Sequence, residues 1–388
     1  MTVPTPEALA DAWLARLPAA QIAAAQAHTD VRLAAWFGGL ALLLAGCAFA
    51  TRIRALPRIT ASIEAQKPRP WLTATAAAGA LTLFLAGLKG VFDAAAGWWG
   101  DAVLTAGGGV PPGAGFATRL QAAIAGAATV TLAAIVFVPI VVWLMRRLPR
   151  AWPFVFGAAA TGVVLTLGWL PYALALGPAL GPLPPGPLRS GLAQLIATAQ
   201  LPARDILIDP DPASITDVTG GLAPPRVVIG SDALGDTPAQ ARAYVAHVIG
   251  HYAHADILIV SLIISATLFF GALAAQRFSV QLARLFGAQG VRSPSETAAL
   301  PALAAIAIVA VAASTIAGAG YLRWANVRAD AYSLQMAREP DGLAEALVRD
   351  WDHAAVAPNP VEEAILYSHP PLRSRLVHAM TWKVRRGG

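Results

Sequence analysis

The chain has 388 residues, of which 56% are hydrophobic and only 13% charged, about half the charged content of a soluble domain. Its formal net charge is +6, but the basic residues sit in short loops beside apolar runs, which suits orientation in a bilayer and not nucleic-acid binding. The single cysteine, Cys47, lies inside an apolar run, which excludes a disulfide framework and a cysteine metal cluster.

The N-terminal stretch has an acidic start and no basic region before an apolar core, so it does not read as a cleaved signal peptide. Six apolar segments follow, at about 33–50, 71–92, 120–145, 152–177, 257–275 and 300–322. Each approaches or exceeds the roughly 20 residues a membrane helix needs. Lys89 falls near the end of the second, where its side chain can snorkel. Trp71, Trp143, Trp152 and Trp169 mark span ends. Loops 51–70, 146–151 and 276–299 are rich in Arg and Lys. With six spans these loops share one side, which the positive-inside rule makes cytoplasmic. The polar regions 178–256 and 323–388 then lie on the opposite side.

Between the fourth and fifth spans the composition changes. A Pro/Gly linker from residue 177 leads to the amphipathic stretch "LRSGLAQLIATAQ" and two short strands, 205–209 and 226–230. Thr237, Pro238 and Gln240 then form a helix start: an N-cap, a proline at the first helical position and a Gln three residues on. No breaker follows for many residues, which predicts one helix running unbroken into the fifth span.

That helix carries "HVIGHYAHAD". His247 and His251 stand four apart, on one face and close enough to share a metal. His254 shares the face but lies about 10 Å along the axis from His247, so one straight helix cannot bring both to one ion. His251 with His254 is an alternative pair. The plainer reading of each histidine alone is a core or interfacial residue at the mouth of a membrane region.

The stretch resembles the H-E-x-x-H helix of the integral-membrane CAAX prenyl endopeptidase family of zinc metallopeptidases. Three further places agree. "RVVIGSDALGDTPAQARAYVAHVIGH" is similar to the family's strand, turn and active-site helix. "NVRADAYSL" (326–334) resembles its E-x-x-A-D segment, and "YSHPPLRSRL" (367–376) its S-H-P-P-L-x-x-R signature. The order matches, as does the two-span hairpin between the helix and the second segment.

Residue by residue, the resemblance places His247 and His251 on the two zinc-binding histidines. Val248 falls on the glutamate that acts as general base, and valine has no proton to move. Loss of a positioned base costs about 10²–10⁴ in rate. Asn326 falls on the third ligand, a glutamate in the family; its amide oxygen is neutral and a weak zinc donor. Asp330 falls on an acidic position that orients a ligating histidine, with a surface salt bridge to Arg323 or Arg328 as the plainer alternative. His369 and an arginine, Arg373 or Arg375, are implied to line the site, although Pro370 and Pro371 also read as a rigid corner. The family's substrate-holding edge corresponds to "ITDVTGG" (215–221). Carboxylates that could make good the losses are Asp256, Glu362, Glu363 and Asp330, but Asp256 lies about 140° round a straight helix from His251.

The reading is thus a mainly α protein of polytopic membrane helices with a small α+β zincin-like peptidase domain. Residues 1–177 form a membrane region with four spans, 178–256 the first part of the peptidase-like domain, 257–322 a membrane hairpin and 323–388 the second part. The resemblance implies a membrane-bound zinc metalloendopeptidase. Its substituted base and ligand predict impaired or lost hydrolysis and a pseudo-peptidase that binds a peptide or protein. The alternative is an active endopeptidase with a non-standard site. A channel or transporter fits less well, because the spans hold few ionisable residues. Zinc is the cofactor of the active reading, and the inactive reading needs none. The expected partners are the lipid bilayer and a peptide or protein, without nucleic acid, and composition suggests a bacterial inner membrane.

Overall fold

The computed structural model describes residues 4–65, 67–108, 113–177, 180–203, 205–211, 214–230, 233 and 235–386. Part of the predicted strand-to-helix turn, at Ser231, Asp232 and Leu234, lies outside them. Six helices are long and apolar enough to cross a membrane: Ala19–Arg52, Pro70–Ala106, Phe116–Arg147, Trp152–Ala173, Asp256–Leu285 and Thr297–Met336. All six predicted segments fall within or largely within them. The chain forms two compact units, residues 27–162 with 264–315, and residues 1–26 with 163–263 and 316–388.

The first of these units is helical. Its main elements are α2 (Ala19–Arg52), α3 (Ala55–Glu64), α4 (Pro70–Ala106), α5 (Phe116–Arg147) and α6 (Trp152–Val164). Small residues let the helices approach closely, since lipid supplies no hydrophobic drive between them. A Cβ on Gly90 of α4 would lie 3.0 Å from the Ala123 Cβ of α5. Large apolar side chains such as Phe137 and Leu132 face outward, as a lipid-facing surface requires. Lys89 differs from expectation. Helix α4 continues to Ala106, so Lys89 is in mid-helix, and its ammonium bonds Asp93 one turn on, at 2.5 Å. Pairing within the helix, not snorkelling, satisfies the charge.

The second unit holds a four-stranded sheet. After α7 (Leu170–Ala173) come β1 (Gly181–Pro182), α8 (Pro187–Thr198), β2 (Ile206–Ile208), β3 (Asp217–Thr219) and β4 (Arg226–Ile229). The strand order is β1-β2-β4-β3. Strands β2 and β4 run parallel, and β3 lies antiparallel to β4 with Val218 opposite Val227. Helices α8 and α9 (Pro238–Ala253) bury Leu192, Ile196, Val245 and Ile249 against Val218, Val227 and Ile229. A separate core joins α1 (Pro6–Leu14), α12 (Pro340–Arg349) and α14 (Leu372–Arg385) through Leu14, Leu343, Leu376 and Met380.

Helix α9 starts as predicted. The Thr237 hydroxyl caps the Gln240 amide at 3.3 Å, with Pro238 at the first turn. It does not continue into the fifth span. His254 ends it, Ala255 takes a left-handed φ of 54°, and α10 (Asp256–Leu285) starts afresh. An alanine there costs about 1–2 kcal/mol in backbone strain, and neither Gly nor Pro announces the break. What offsets it lies in the site: the break turns Asp256 back toward His251.

Candidate metal centre

Four helices build the site, α10 contributing its first residue, Asp256, and the loop before α14 brings His369 beside it. Helix α9 supplies His247 and His251. Helix α11 (Leu300–Met336) supplies Asn326 and Asp330, and α14 supplies Arg375. Gly250 allows α9 and α11 to touch, since a Cβ there would lie 3.1 Å from the Ala329 Cα. Ser333 ties the same pair by donating to the Ala243 carbonyl at 2.6 Å.

The two histidines aim their Nε2 atoms at each other, 3.2 Å apart. Each Nδ1 is held from behind by a carboxylate. His247 donates to Asp330 Oδ1 at 2.8 Å, and His251 to Asp256 Oδ2 at 2.7 Å. Each carboxylate has its own arginine. Arg375 makes two bonds of 2.7 Å to Asp330, and Arg328 pairs with Asp256, which also accepts from the Tyr321 hydroxyl at 2.5 Å. The result is a linear chain, Arg375–Asp330–His247–His251–Asp256–Arg328. With both Nδ1 atoms donating, neutral imidazoles present two lone pairs to each other, a repulsive arrangement unless a cation lies between. Two nitrogens bound tetrahedrally at about 2.0–2.1 Å would stand about 3.3 Å apart, close to the spacing here.

The other predicted residues take distinct places. Asn326 is buried; its amide donates to the Leu322 carbonyl at 2.9 Å and more weakly to Ser368 O at 3.4 Å. Its Oδ1 is buried with no hydrogen-bond partner, an acceptor such as a metal would engage. Val248 is half-buried and packs against the apolar cluster between α9 and the sheet. His369 is exposed on one side, with Nδ1 3.1 Å from the Ser368 hydroxyl. His254 is not part of the centre; it closes α9 by donating to Gly250 O at 2.6 Å.

Of the two candidate arginines, Arg375 reaches the centre, while Arg373 pairs with Asp11. The plainer alternative for Asp330, a surface pair with Arg323 or Arg328, does not occur. Arg323 instead donates to the carbonyls of Glu363 and Tyr367 at 2.8 and 2.6 Å and so holds the loop before His369. None of the proposed replacement carboxylates faces the Nε2 pair. Asp256 and Asp330 sit behind the rings. Glu362 caps α13 (Pro360–Leu366) by accepting from the Asn359 amide at 2.9 Å, and Glu363 lies 3.8 Å from Arg323.

Burial lowers the His247 pKa, outweighing the opposite pull of Asp330. Burial of its flank, then the charge of Arg375, pushes His369 down to about 4. Both rings are therefore neutral near pH 7, the state in which imidazole binds a metal. Burial raises the Asp217 carboxyl, partly opposed by the Val218 amide and by His251.

Among the described residues no three His, Cys, Asp or Glu side chains are grouped to hold a metal ion. The 3.2 Å spacing of the two Nε2 atoms suits one ion, and the orphaned amide oxygen of Asn326 adds no charge, so such a neutral set is weaker than one with a carboxylate. The structure brings the two predicted histidines and Asp330 together; it pairs Arg328 with Asp256 and not with Asp330, adds Tyr321, which the sequence did not point to, and through the break after α9 brings Asp256, off the face of a straight helix, behind the His251 ring.

The sequence profile described as Peptidase family M48 matches residues 182–383. No curated protein matches the chain. Among solved structures, the crystal structure of S. mikatae Ste24p is similar, with a TM-score of 0.52 and 17% identity, covering 80% of this chain and 79% of that one. At that identity the likeness concerns the fold.

Proposed function

The chain belongs to peptidase family M48, a family of metallopeptidases, and from that premise we propose that it is a membrane-embedded pseudo-peptidase. It keeps the framework of a zinc endopeptidase and uses the sheet edge beside its histidine helix to bind a peptide or protein segment at the membrane. The carrying observation is the contrast within one site. The histidine pair and its carboxylate supports are fully formed, while the neighbouring base position is an apolar, half-buried Val248 that packs against the cluster between α9 and the sheet.

Zinc, when bound in such a site, polarises a carbonyl and acidifies water. His247, His251 and Asn326 would hold it. Asp330 and Asp256 keep each Nδ1 protonated, so that each Nε2 lone pair points inward. Arg375 keeps Asp330 ionised. No side chain at position 248 takes a proton, and His369, neutral at pH 7, is the remaining group near the site that can accept one. A second reading follows from the buried, unpartnered Asn326 Oδ1: an ion is still held, and a slow endopeptidase with His369 as base survives.

Zinc content separates the two readings. Detergent-purified protein made without chelator is compared with a His247→Ala/His251→Ala control, and peptide hydrolysis is assayed alongside. The pseudo-peptidase reading expects no cleavage and no more zinc than in the control, or a substoichiometric excess. About one zinc per chain, lost in the control, together with zinc-dependent cleavage, would overturn it. A bacterial inner membrane, with the sheet-bearing unit on its outer side, is part of this proposal and rests on the Arg/Lys content of loops 51–70, 146–151 and 276–299.

A further inference from the structure

Strand β3 is the edge of the sheet nearest α9, and its hydrogen-bonding direction can be worked out residue by residue. Asp209 donates to the Ile229 carbonyl at 3.0 Å, so Ile229 turns its polar groups toward β2. Alternate residues of a strand turn to alternate sides. Val227 therefore also turns to β2, while Arg226 and Val228 turn to β3. The Gly230 amide, of the same parity, bonds the Thr216 hydroxyl at 3.1 Å on that side. Val228 pairs with Asp217 and Arg226 with Thr219, so those two residues of β3 use their groups inward. Val218, between them, directs its N–H and C=O off the free edge.

An unpaired edge of this kind is a template for another strand. Here both groups are taken by the chain itself. The Val218 amide donates to the Asp217 carboxylate at 2.8 Å, and the Val218 carbonyl accepts from the Tyr172 hydroxyl at 2.6 Å. The backbone at the end of the fourth membrane helix reinforces the second contact. Gly220 donates to Tyr172 O at 2.9 Å, and Leu222 and Ala223 to Ala173 O at 3.0 and 3.1 Å. Arg226 reaches Ala175 O at 2.9 Å. A π-helical turn, Leu165–Trp169, directly precedes this segment. Such a turn adds a residue to the helix and rotates everything after it, so it sets the direction in which Tyr172 points.

We propose that Tyr172 is a latch that closes the β3 edge, with Asp217 as its second half, so that a peptide pairs with β3 only when the end of the fourth membrane helix moves away. The proposal rests on the peptide-binding reading above and adds its regulation: movement of a membrane helix controls access to the sheet edge. Two side chains on one residue make the closure specific, since both edge groups of Val218 must be released before a strand can pair there.

The test uses the full-length protein in detergent micelles with Tyr172→Phe, which removes only the hydroxyl, and Asp217→Ala. Hydrogen exchange is followed at Gly220, Leu222 and Ala223 without peptide. Binding of a capped, fluorescein-labelled Thr-Val-Thr-Val-Thr peptide is followed by anisotropy. Tyr172→Phe is expected to speed exchange at the three amides at least threefold and to tighten peptide binding by about three- to tenfold, the worth of one hydrogen bond. Asp217→Ala is expected to tighten binding without speeding that exchange. Unchanged exchange in Tyr172→Phe overturns the latch whether or not any peptide binds. Faster exchange with equal binding by wild type and both variants overturns closure. Faster exchange with no binding by any of the three removes the peptide-binding reading, and closure of the edge with it.

Discussion

Asp256 carries more of the site than its position in the sequence suggests, and Asp256→Asn isolates its charge. The carboxylate is 3% exposed as a side chain and meets Arg328, itself 25% exposed. It also meets His251 at 2.7 Å and Tyr321 at 2.5 Å. Removing one partner of a buried pair costs about 3–5 kcal/mol. Three facts reduce that here: Arg328 reaches solvent, its guanidinium stacks 4.1 Å above the Trp324 ring, and asparagine still accepts one hydrogen bond. The expected loss is therefore about 2–3 kcal/mol. At about 1–2 °C per kcal/mol for a chain of this size, melting in detergent should fall by a few degrees. Any metal affinity should fall by about 10–100-fold, read as the cobalt or zinc concentration that protects against melting. A variant that melts within about 1 °C of wild type would refute the reasoning, because it would mean that Asp256 neither anchors Arg328 nor stabilises the break in the helix.

Ala255→Gly relieves the left-handed φ of 54° at some cost in chain entropy, so it should raise the stability by about 0.5–1 kcal/mol; a fall in melting temperature would contradict the strain. Gly250→Ala forces a Cβ to within 3.1 Å of the Ala329 Cα and should cost about 1–3 kcal/mol, seen as a lower melting temperature. The folded His369 pKa, down to about 4, lies below the unfolded value of about 6.5. The unfolded chain thus binds more protons between these values, so stability from this group is complete above pH 6.5 and lost as pH falls toward 4. His369→Gln should flatten the decline in melting temperature between pH 6.5 and 4, and an unchanged slope would contradict the shift. Val248→Glu with Asn326→Glu should yield stoichiometric zinc where Val248→Glu alone does not, measured by metal analysis.

What could be read from the sequence follows from how local each signal is. The spans declare themselves by composition, and Thr237 with Pro238 marks the start of α9 because capping is a contact over three residues. His247 and His251 are legible because four residues is one helical turn. The end of α9 is not legible: Ala255 is a good helix former, and its left-handed turn is held by Asp256 reaching back to His251 and across to Tyr321, 65 residues away. Arg375 and Asp330, 45 residues apart, could be joined only through the family resemblance. Nothing local to Tyr172 announces that its hydroxyl reaches Val218, because that contact depends on where the fourth membrane helix ends.

The charges of the site bear on how such a framework could persist under the proposed pseudo-peptidase reading. Asp330 and Asp256 contribute two negative charges, and Arg375 and Arg328 return two positive ones. With neutral imidazoles the chain of six groups sums to zero before any ion arrives. A dication between the Nε2 atoms would then stand without compensation, since Asn326 brings no charge and Val248 none. A glutamate at either position would supply part of it. The same neutrality makes the metal-free arrangement cheap to maintain: each buried carboxylate has its arginine, and each Nδ1 has its acceptor. The cost left over is the repulsion of two lone pairs 3.2 Å apart. A framework whose internal charges already balance is what the proposed binding protein of peptidase descent would keep.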